Sequence, residues 1–255
     1  MLKAAVTTQV TMKTPDGHGS GFTQTALDPL RYGGQVEQAW ETTGILRSFM
    51  PSGVRVLDVG CGLGGVTNII NREKNNEVCG IEPDAIRAEA ARKAGIDVTC
   101  GFLTAAYFEE HGSFDVIMFT DVLEHVPDPA ALLDLALTGL RPKGRLLISV
   151  PNVAHWTMRW YLFTGRFDYT ETGIRDATHL RWFTRKTLEA MLHSRGLEVE
   201  RIQHSAGTFL TEYYRMPWKA VPRTLRFGFI KRMARLTPLL FGCQHLVMAK
   251  RKGEE

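Results

Sequence analysis

The sequence predicts an α/β fold organised as a doubly wound sheet, and three observations carry that expectation. The stretch VRVLDVGCGLGG, residues 54–65, runs β-forming positions straight into a cluster of glycines, as a buried strand does when it ends in a tight turn. A second apolar stretch, 77–81, ends in a carboxylate, Glu82, about twenty residues beyond those glycines, where an acid at a strand tip meets a pair of ribose hydroxyls. From there, strand-like and helix-like segments alternate as far as Val150, the pattern of a parallel sheet with helical crossovers. At 255 residues and 44% hydrophobic content, the chain can bury a full core in one domain.

The elements follow in order. Residues 1–28 are polar, rich in Thr and Gly and without a helical or strand period, and read as a mobile arm. From Leu30 a helix is expected, with Val36, Ala39, Trp40, Ile45 and Leu46 as apolar positions and Pro51 as its stop. In the glycine turn, Gly60, Gly62 and Gly64 allow a backbone path that side chains would block, so main chain can lie against a ligand, and Asp58 adds a carboxylate just upstream. A helix over 66–71 then points its N-terminus at the loop, offering free N–H groups and a positive dipole end. Asp84 opens the next helix, Gly95 closes it, and 96–100 reads as the third strand. The fourth strand, 114–119, leads into Thr120-Asp121-Val122-Leu123-Glu124-His125, which a doubly wound sheet places beside the glycine loop. Pro129 opens a helix with Leu132, Leu133, Leu135 and Leu140 on its apolar face, and 146–150 is the fifth strand. Between 153 and 183 the alternation breaks into aromatic and polar residues, an insertion long enough to carry function. Thr184 caps a helix ending at Gly196, and 197–202 and 244–250 are two further strands.

Gly60, Gly62 and Gly65 also satisfy the dinucleotide fingerprint G-x-G-x-x-G. Asp58 ahead of the first glycine, the helical stretch before it and the later segment FDVIMFTDVLEHVPDP resolve that ambiguity. Together they resemble the class I S-adenosylmethionine-dependent methyltransferases. Within that class, GRFDYTETGI and DATHLRWF resemble a subgroup associated with bacterial cell-surface glycans and other sugar substrates. The resemblance spans 54–202. It implies a seven-stranded Rossmann-like sheet with a final antiparallel strand, a methyltransferase domain over 29–255, and S-adenosyl-L-methionine as methyl donor. By the same resemblance the donor is held by Asp58, Gly60, Cys61, Gly62 and Gly64 of the loop, by Glu82 and Pro83 at the second strand's tip, and by Thr120, Asp121 and Val122 at the fourth strand's exit. Many members carry an acid for the adenine amine where this chain has Gly101-Phe102-Leu103; that acid is missing, and Phe102 is either an adenine-stacking ring or a core residue. The leading helix of the family covers the cofactor, which makes Arg31 and Tyr32 either closing residues or ordinary surface.

Methyl transfer from a sulfonium is an in-line displacement whose reagent carries its own driving force, so alignment is the protein's main task, worth up to about 7 to 11 kcal/mol in well-oriented systems. A hydroxyl acceptor must also lose a proton. His125 is the first choice of base, with His155 and His179 on the insertion as rivals. The insertion is expected to form the acceptor pocket, with Asn152 at its root and Trp156, Arg166, Tyr169 and Asp176 against a sugar ring or an attached phosphate. Asp121-x-x-Glu124-His125 resembles the E-x-x-E-H motif by which some RNA-end and quinone-precursor methyltransferases hold a divalent ion, with Asp in place of the first Glu. That departure, and a shell left incomplete unless His155, His179 or substrate joins it, argue against a metal. The leading expectation is O-methylation of a sugar, glycolipid or glycosylated metabolite. A metal-assisted catechol or quinone-precursor methyltransferase, an RNA-end methyltransferase and a non-catalytic cofactor-binding regulator are the alternatives.

The formal net charge of +4 is concentrated: residues 207–242 hold seven Lys and Arg against one acid, Glu212, leaving about −2 for the remainder. A protein that coats DNA over a broad face is thereby excluded, and a local anionic contact is favoured. Placed on a helix, Leu225, Phe229, Met233 and Leu236 share one face while Arg223, Lys231 and Arg235 take the other, which suits packing on the domain, an anionic membrane surface or a lipid-phosphate substrate. The four cysteines form no C-x-x-C pair and suit reduced core thiols, and no run reaches about 18 apolar residues. A cytoplasmic location follows as the expectation, with the inner face of the membrane as a docking option and the oligomeric state left open.

Overall fold

Seven strands assemble into one sheet in the order β3-β2-β1-β4-β5-β7-β6. The protein is described by a computed structural model over residues 28–31 and 37–254. In chain order the elements are α1 (Thr42–Phe49), β1 (Arg55–Val59), α2 (Gly65–Asn71), β2 (Glu77–Glu82), α3 (Ala85–Lys93), β3 (Asp97–Cys100), α4 (Ala105–His111), β4 (Phe114–Thr120), α5 (Pro129–Thr138), β5 (Leu140–Pro151), α6 (Trp156–Phe163), α7 (Arg185–Ser194), β6 (Leu197–His204), α8 (Arg223–Leu236), α9 (Pro238–Phe241) and β7 (Gln244–Arg251). The pairings β1 with β2, β2 with β3, β1 with β4 and β4 with β5 are parallel, while β7 enters antiparallel between β5 and β6. The expected doubly wound sheet with an antiparallel final strand is therefore the observed one.

Alternation along the central strands decides which residues face which layer, because successive side chains of a strand leave on opposite sides. Leu57 and Val59 of β1, Ile117 and Phe119 of β4, and Leu146, Ile148 and Val150 of β5 join one buried cluster. Val56, Val116, Met118 and Leu147 of the same strands join another with Ile45, Leu46 and Phe49 of α1. Apolar groups on both faces are what a parallel sheet covered on both sides requires. A third cluster, with Met158, Ile174, Tyr213, Ile230, Ala234 and Cys243, binds residues 153–183 to residues 207–242. The two stretches that break the alternation thus share a core of their own.

The structure departs from expectation at several points. The helix expected from Leu30 begins only at Thr42; Ala39 and Trp40 form a turn, and residues 1–27 of the expected arm, with Tyr32 and Val36, lie outside the described residues. Leu140 opens β5 instead of closing the preceding helix, because its pairing with Phe114 puts it in the sheet. Cys61 and Cys79 are buried as expected, Cys100 is exposed at the tip of β3 against expectation, and Cys243 is buried too. On α8 the buried face is Arg226, Ile230 and Ala234, while Leu225, Phe229 and Leu236 stand in solvent. Arg226 can turn inward because its guanidinium lies over the rings of Tyr214 and Phe227, 5.0 and 5.4 Å from their centroids, and donates to the Trp218 carbonyl at 3.2 Å.

Candidate active site

The glycine loop is fastened to the second strand before any ligand arrives. The N–H groups of Gly60 and Cys61 both donate to the Ile81 carbonyl, at 2.7 and 3.1 Å, and Gly62 N–H donates to Glu82 Oε2 at 2.9 Å. Gly60, Gly62 and Gly64 all take positive φ, at 75°, 56° and 77°, but they do so for different reasons. A Cβ on Gly60 would lie 2.7 Å from Val122 and one on Gly64 would lie 2.6 Å from Ile96, whereas one on Gly62 would meet nothing within 4 Å. Two of the three glycines are there for packing, and Gly62 alone opens the backbone outward.

Two carboxylates back this loop. Asp58 is fully buried; its Oδ2 accepts from the Thr67 hydroxyl at 2.6 Å, and its Oδ1 has no partner among the described residues. Burial, with the nearby Glu82 charge, pushes the Asp58 carboxyl up to about 7. Glu82, 2% exposed, also accepts from the Asp84 N–H at 3.0 Å and has Arg87 at 3.7 Å. The Cys61 thiol points away from the loop into a cluster with Ala88, Ala91, Ile96 and Val98, so a donor can meet this residue only through its main chain. Pro83 is exposed beside Glu82 and Leu103 is buried. Phe102 stands 81% exposed past the end of β3, which removes the core reading of that ring.

At the exit of β4 the chain turns sharply. Asp121 takes φ 55°; its N–H donates to the Ser149 carbonyl and hydroxyl, and its carboxylate accepts from the Ser149 hydroxyl at 2.7 Å and the Gln244 amide at 2.8 and 2.9 Å. Thr120 Oγ1 is buried without a partner among the described residues, and Val122 packs on the glycine loop. Glu124 is 1% exposed, both of its carboxylate oxygens lack a hydrogen-bond partner among the described residues, and burial followed by the Asp121 charge holds its pKa well above the ordinary carboxyl range.

His125 and the insertion meet over this turn. The Nδ1 of His125 lies 3.3 Å from the Thr178 carbonyl and 3.1 Å from its hydroxyl, and the same hydroxyl donates to Asp176 Oδ1 at 2.6 Å. A carboxylate thus orients an imidazole through one hydroxyl, as a third group orients the base in a triad. His179, 4.7 Å from His125 between ring centroids, has its Nδ1 on the Ile174 carbonyl at 3.2 Å. Among the described residues Nε2 of neither ring has a hydrogen-bond partner. Glu124, His125 and His179 bring one ligating atom each within 4.8 Å of one another. Burial lowers the pKa of His125, and burial with the His125 charge takes His179 to about 4.

The remaining expected residues fall elsewhere. His155 is fully buried at the start of α6, with Nδ1 2.8 Å from the Thr157 hydroxyl and Nε2 3.4 Å from the Tyr213 hydroxyl. Both nitrogens are engaged and burial takes its pKa to about 3, so it is withdrawn as a base. Asn152 spends its polar atoms on the Leu239 and Gly242 carbonyls and the Ala154 N–H, which makes it a fastener and not a ligand for substrate. Asp121, held by Ser149 and Gln244, leaves the expected metal set, and His179 takes its place. Trp156 donates to the Tyr213 hydroxyl at 2.9 Å inside the third cluster. Arg166 and Tyr169 are exposed, Arg166 lying 5.4 Å over the Tyr161 ring. Arg31 reaches the Glu171 carbonyl and comes within 3.9 Å of Asp176, against the insertion. Thr178 is the residue the sequence reading missed, although it lies between Asp176 and His179 in DATHLRWF.

Residues 32–202 match the family model described as "Methyltransferase domain". The chain belongs to that methyltransferase family. Its methyl donor is accordingly S-adenosylmethionine, and the loop fits such a group: an open face at Gly62, an acid at the tip of β2, an exposed ring at Phe102 and an orphaned Asp58 oxygen. The methyltransferase is 31% identical over 174 residues to a ubiquinone biosynthesis O-methyltransferase of Pseudomonas aeruginosa, covering 65% of this chain and 73% of that one. It is 38% identical over 109 residues to the protein of the same name from Aeromonas salmonicida, a match to 39% of this chain and 44% of the relative. Those names do not support the sugar subgroup expected from GRFDYTETGI and DATHLRWF. In fold it is similar to a SAM-dependent methyltransferase from Archaeoglobus fulgidus, with 21% identity, a TM-score of 0.56 and coverage of 82% and 92% of the two chains. The counterpart from Mesorhizobium loti has 20% identity, a TM-score of 0.52 and coverage of 81% and 96%.

Proposed function

We propose that this methyltransferase methylates a hydroxyl oxygen of a phenolic, quinone-precursor-like acceptor, with His125 taking the proton. The observation that carries the reading is the convergence of Glu124, His125 and His179 at the exit of β4, backed by the Asp176–Thr178 relay. S-adenosylmethionine supplies an activated methyl on a sulfonium, so the chain's share is alignment and proton removal. His125 Nε2 would take the acceptor's O–H proton, and the donor, when bound, would lose its methyl to that oxygen by breaking the C–S bond and leave as S-adenosylhomocysteine. A histidine whose pKa burial lowers is a weak base, and a phenol, near pKa 10 in tyrosine, gives up its proton more readily to such a base than a sugar alcohol does. The relatives named for ubiquinone biosynthesis support the same acceptor class. The aromatic faces of Tyr169 and Trp182 on the insertion keep a sugar ring as the competing acceptor. Incubation of the protein with S-adenosylmethionine and either a catechol or a lipid-linked or nucleotide sugar, read by mass spectrometry, decides between them. Methylation of the catechol alone is the expected result; methylation of the sugar alone reverses the assignment.

The Glu124 carboxylate, unpartnered among the described residues, favours a second reading, in which Glu124, His125 and His179 would hold one divalent ion that would favour the acceptor's phenolate. The base reading expects turnover within twofold of the untreated enzyme after EDTA. Loss of turnover that added Mg²⁺ or Mn²⁺ restores selects the metal reading.

A further inference from the structure

The face built by α6, α8 and α9 is apolar where it meets solvent. On α6, Trp160 and Phe163 are 55% and 83% exposed; on α8, Leu225 and Leu236 are 67% and 65% exposed; on α9, Leu239 is 50% exposed. These side chains belong to one surface. Trp156 of α6 touches the Phe241 ring at 6.2 Å, Phe241 touches Phe229 of α8 at 6.1 Å, and an open groove between α6 and α9 is lined by Trp156, Arg159, Trp160, Phe163 and Leu240. On α8 the outward residues 225, 229, 232 and 236 follow one another at helical spacing, opposite the buried 226, 230 and 234.

The outward charge on α8 and in the segment before it has one sign. Arg159, Lys219, Arg232 and Arg235 are exposed, while Glu212, the only acid in residues 207–242, is turned toward Tyr161 and Arg175. An apolar face with aromatic rings, a cationic rim and no outward acid in that segment complements a surface that is apolar inside and anionic at its edge. No helix among the described residues is long and apolar enough to cross a membrane, so contact from this face is peripheral. We propose that α6, α8 and α9 dock the protein on an anionic lipid bilayer, with Phe163, Trp160, Leu225 and Leu236 entering the interface and Arg159, Arg232 and Arg235 meeting the phosphates. The inference does not depend on which acceptor the enzyme uses.

Flotation of the full chain with phosphatidylcholine vesicles, and with vesicles in which part of the lipid is phosphatidylglycerol, tests it. The chain is expected to float with the anionic vesicles only, and to be released by high salt, since charges at a surface are screened. Phe163→Ser with Leu236→Ser, and separately Arg232→Glu with Arg235→Glu, are each expected to lower vesicle affinity at least tenfold. Unchanged affinity of both variants for S-adenosylhomocysteine, by calorimetry, shows that the fold is intact. The proposal is overturned if the wild-type chain does not float with anionic vesicles, if it floats equally with neutral ones, or if both variants float as it does. It is overturned too if sedimentation finds a lipid-independent dimer that both variants dissociate, because a second copy then covers this face.

Discussion

Gly60 and Gly62 share a turn and a left-handed backbone, yet replacing them should have opposite signatures. Alanine at Gly60 adds a clash with Val122 to the backbone strain, so it should destabilise the fold and weaken donor binding together. Alanine at Gly62 meets open space and carries only the strain of the left-handed conformation, about 1 to 2 kcal/mol. Its main effect should be a methyl in the donor's path: a Kd for S-adenosylhomocysteine raised at least tenfold, with a melting temperature lowered by a few degrees and by less than in Gly60→Ala. Equal losses of stability in the two variants, by calorimetric scanning and titration, would count against this division of roles. The same scale fixes the pH behaviour of the proposed base. Burial lowers the His125 pKa below its usual 6.5, while the Thr178 carbonyl and the Asp176 charge push it back up. A base must be neutral to act, so kcat should rise with pH on a limb lying below 6.5 and be flat at neutrality. Asp176→Asn removes a negative charge that raises the His125 pKa, so the limb should move to lower pH and the plateau should fall. His125→Ala should cost at least about tenfold in kcat, the low end of general-base help. A limb that stays in place in Asp176→Asn means that the carboxylate does not reach His125 through Thr178.

At the scale of elements, Asn152 decides how the insertion sits on the sheet. It bridges the end of β5 to the α9–β7 turn through the Gly242 carbonyl at 2.8 Å and caps Ala154 N–H at 2.9 Å. Asn152→Ala orphans the buried Gly242 carbonyl at about 1 to 3 kcal/mol, and the part-buried Leu239 carbonyl and Ala154 N–H at less because water can reach them, so a loss of about 2 to 3 kcal/mol is expected in denaturant unfolding, with acceptor KM raised and donor affinity kept. An unchanged acceptor KM would detach the insertion from acceptor binding. The strands were legible because their apolar runs end in Gly, Pro or a carboxylate, and the Thr184 and Asp84 caps were legible because both side chains bond the backbone N–H groups of the following turn. What escaped has one physical cause: a side chain's partner can lie far away in sequence. Asn152 meets Gly242, His155 meets Tyr213 and Asp121 meets Gln244, and no local period reports such pairs. The expected apolar face of α8 stands in solvent for the same reason, since the inward Arg226 depends on Trp218, Tyr214 and Phe227.

Across the whole molecule, the parallel strands deliver their C-terminal ends to one crevice, so the loops after β1, β2, β4 and β5 bring the proposed donor and acceptor groups together without sharing a sequence neighbourhood. A ligand that binds there ties both layers of the sheet to the native state and stabilises it by mass action. At a hundred times its Kd the gain is about 2.7 kcal/mol, and for a chain of this size each kcal/mol moves the melting temperature by roughly 2 to 4 °C. S-adenosylhomocysteine at that excess should therefore raise the melting temperature by about 5 to 10 °C. NAD should leave it unmoved, although Gly60, Gly62 and Gly65 fit the dinucleotide pattern, because here the glycines at 60 and 64 are used for packing on Val122 and Ile96. Glu82→Ala provides the internal control. Its carboxylate holds the Gly62 N–H at the proposed donor site, so the shift induced by S-adenosylhomocysteine should shrink to a small fraction of the parent's. A shift induced by NAD, or one that survives Glu82→Ala in full, would separate this crevice from the donor site that its family membership requires.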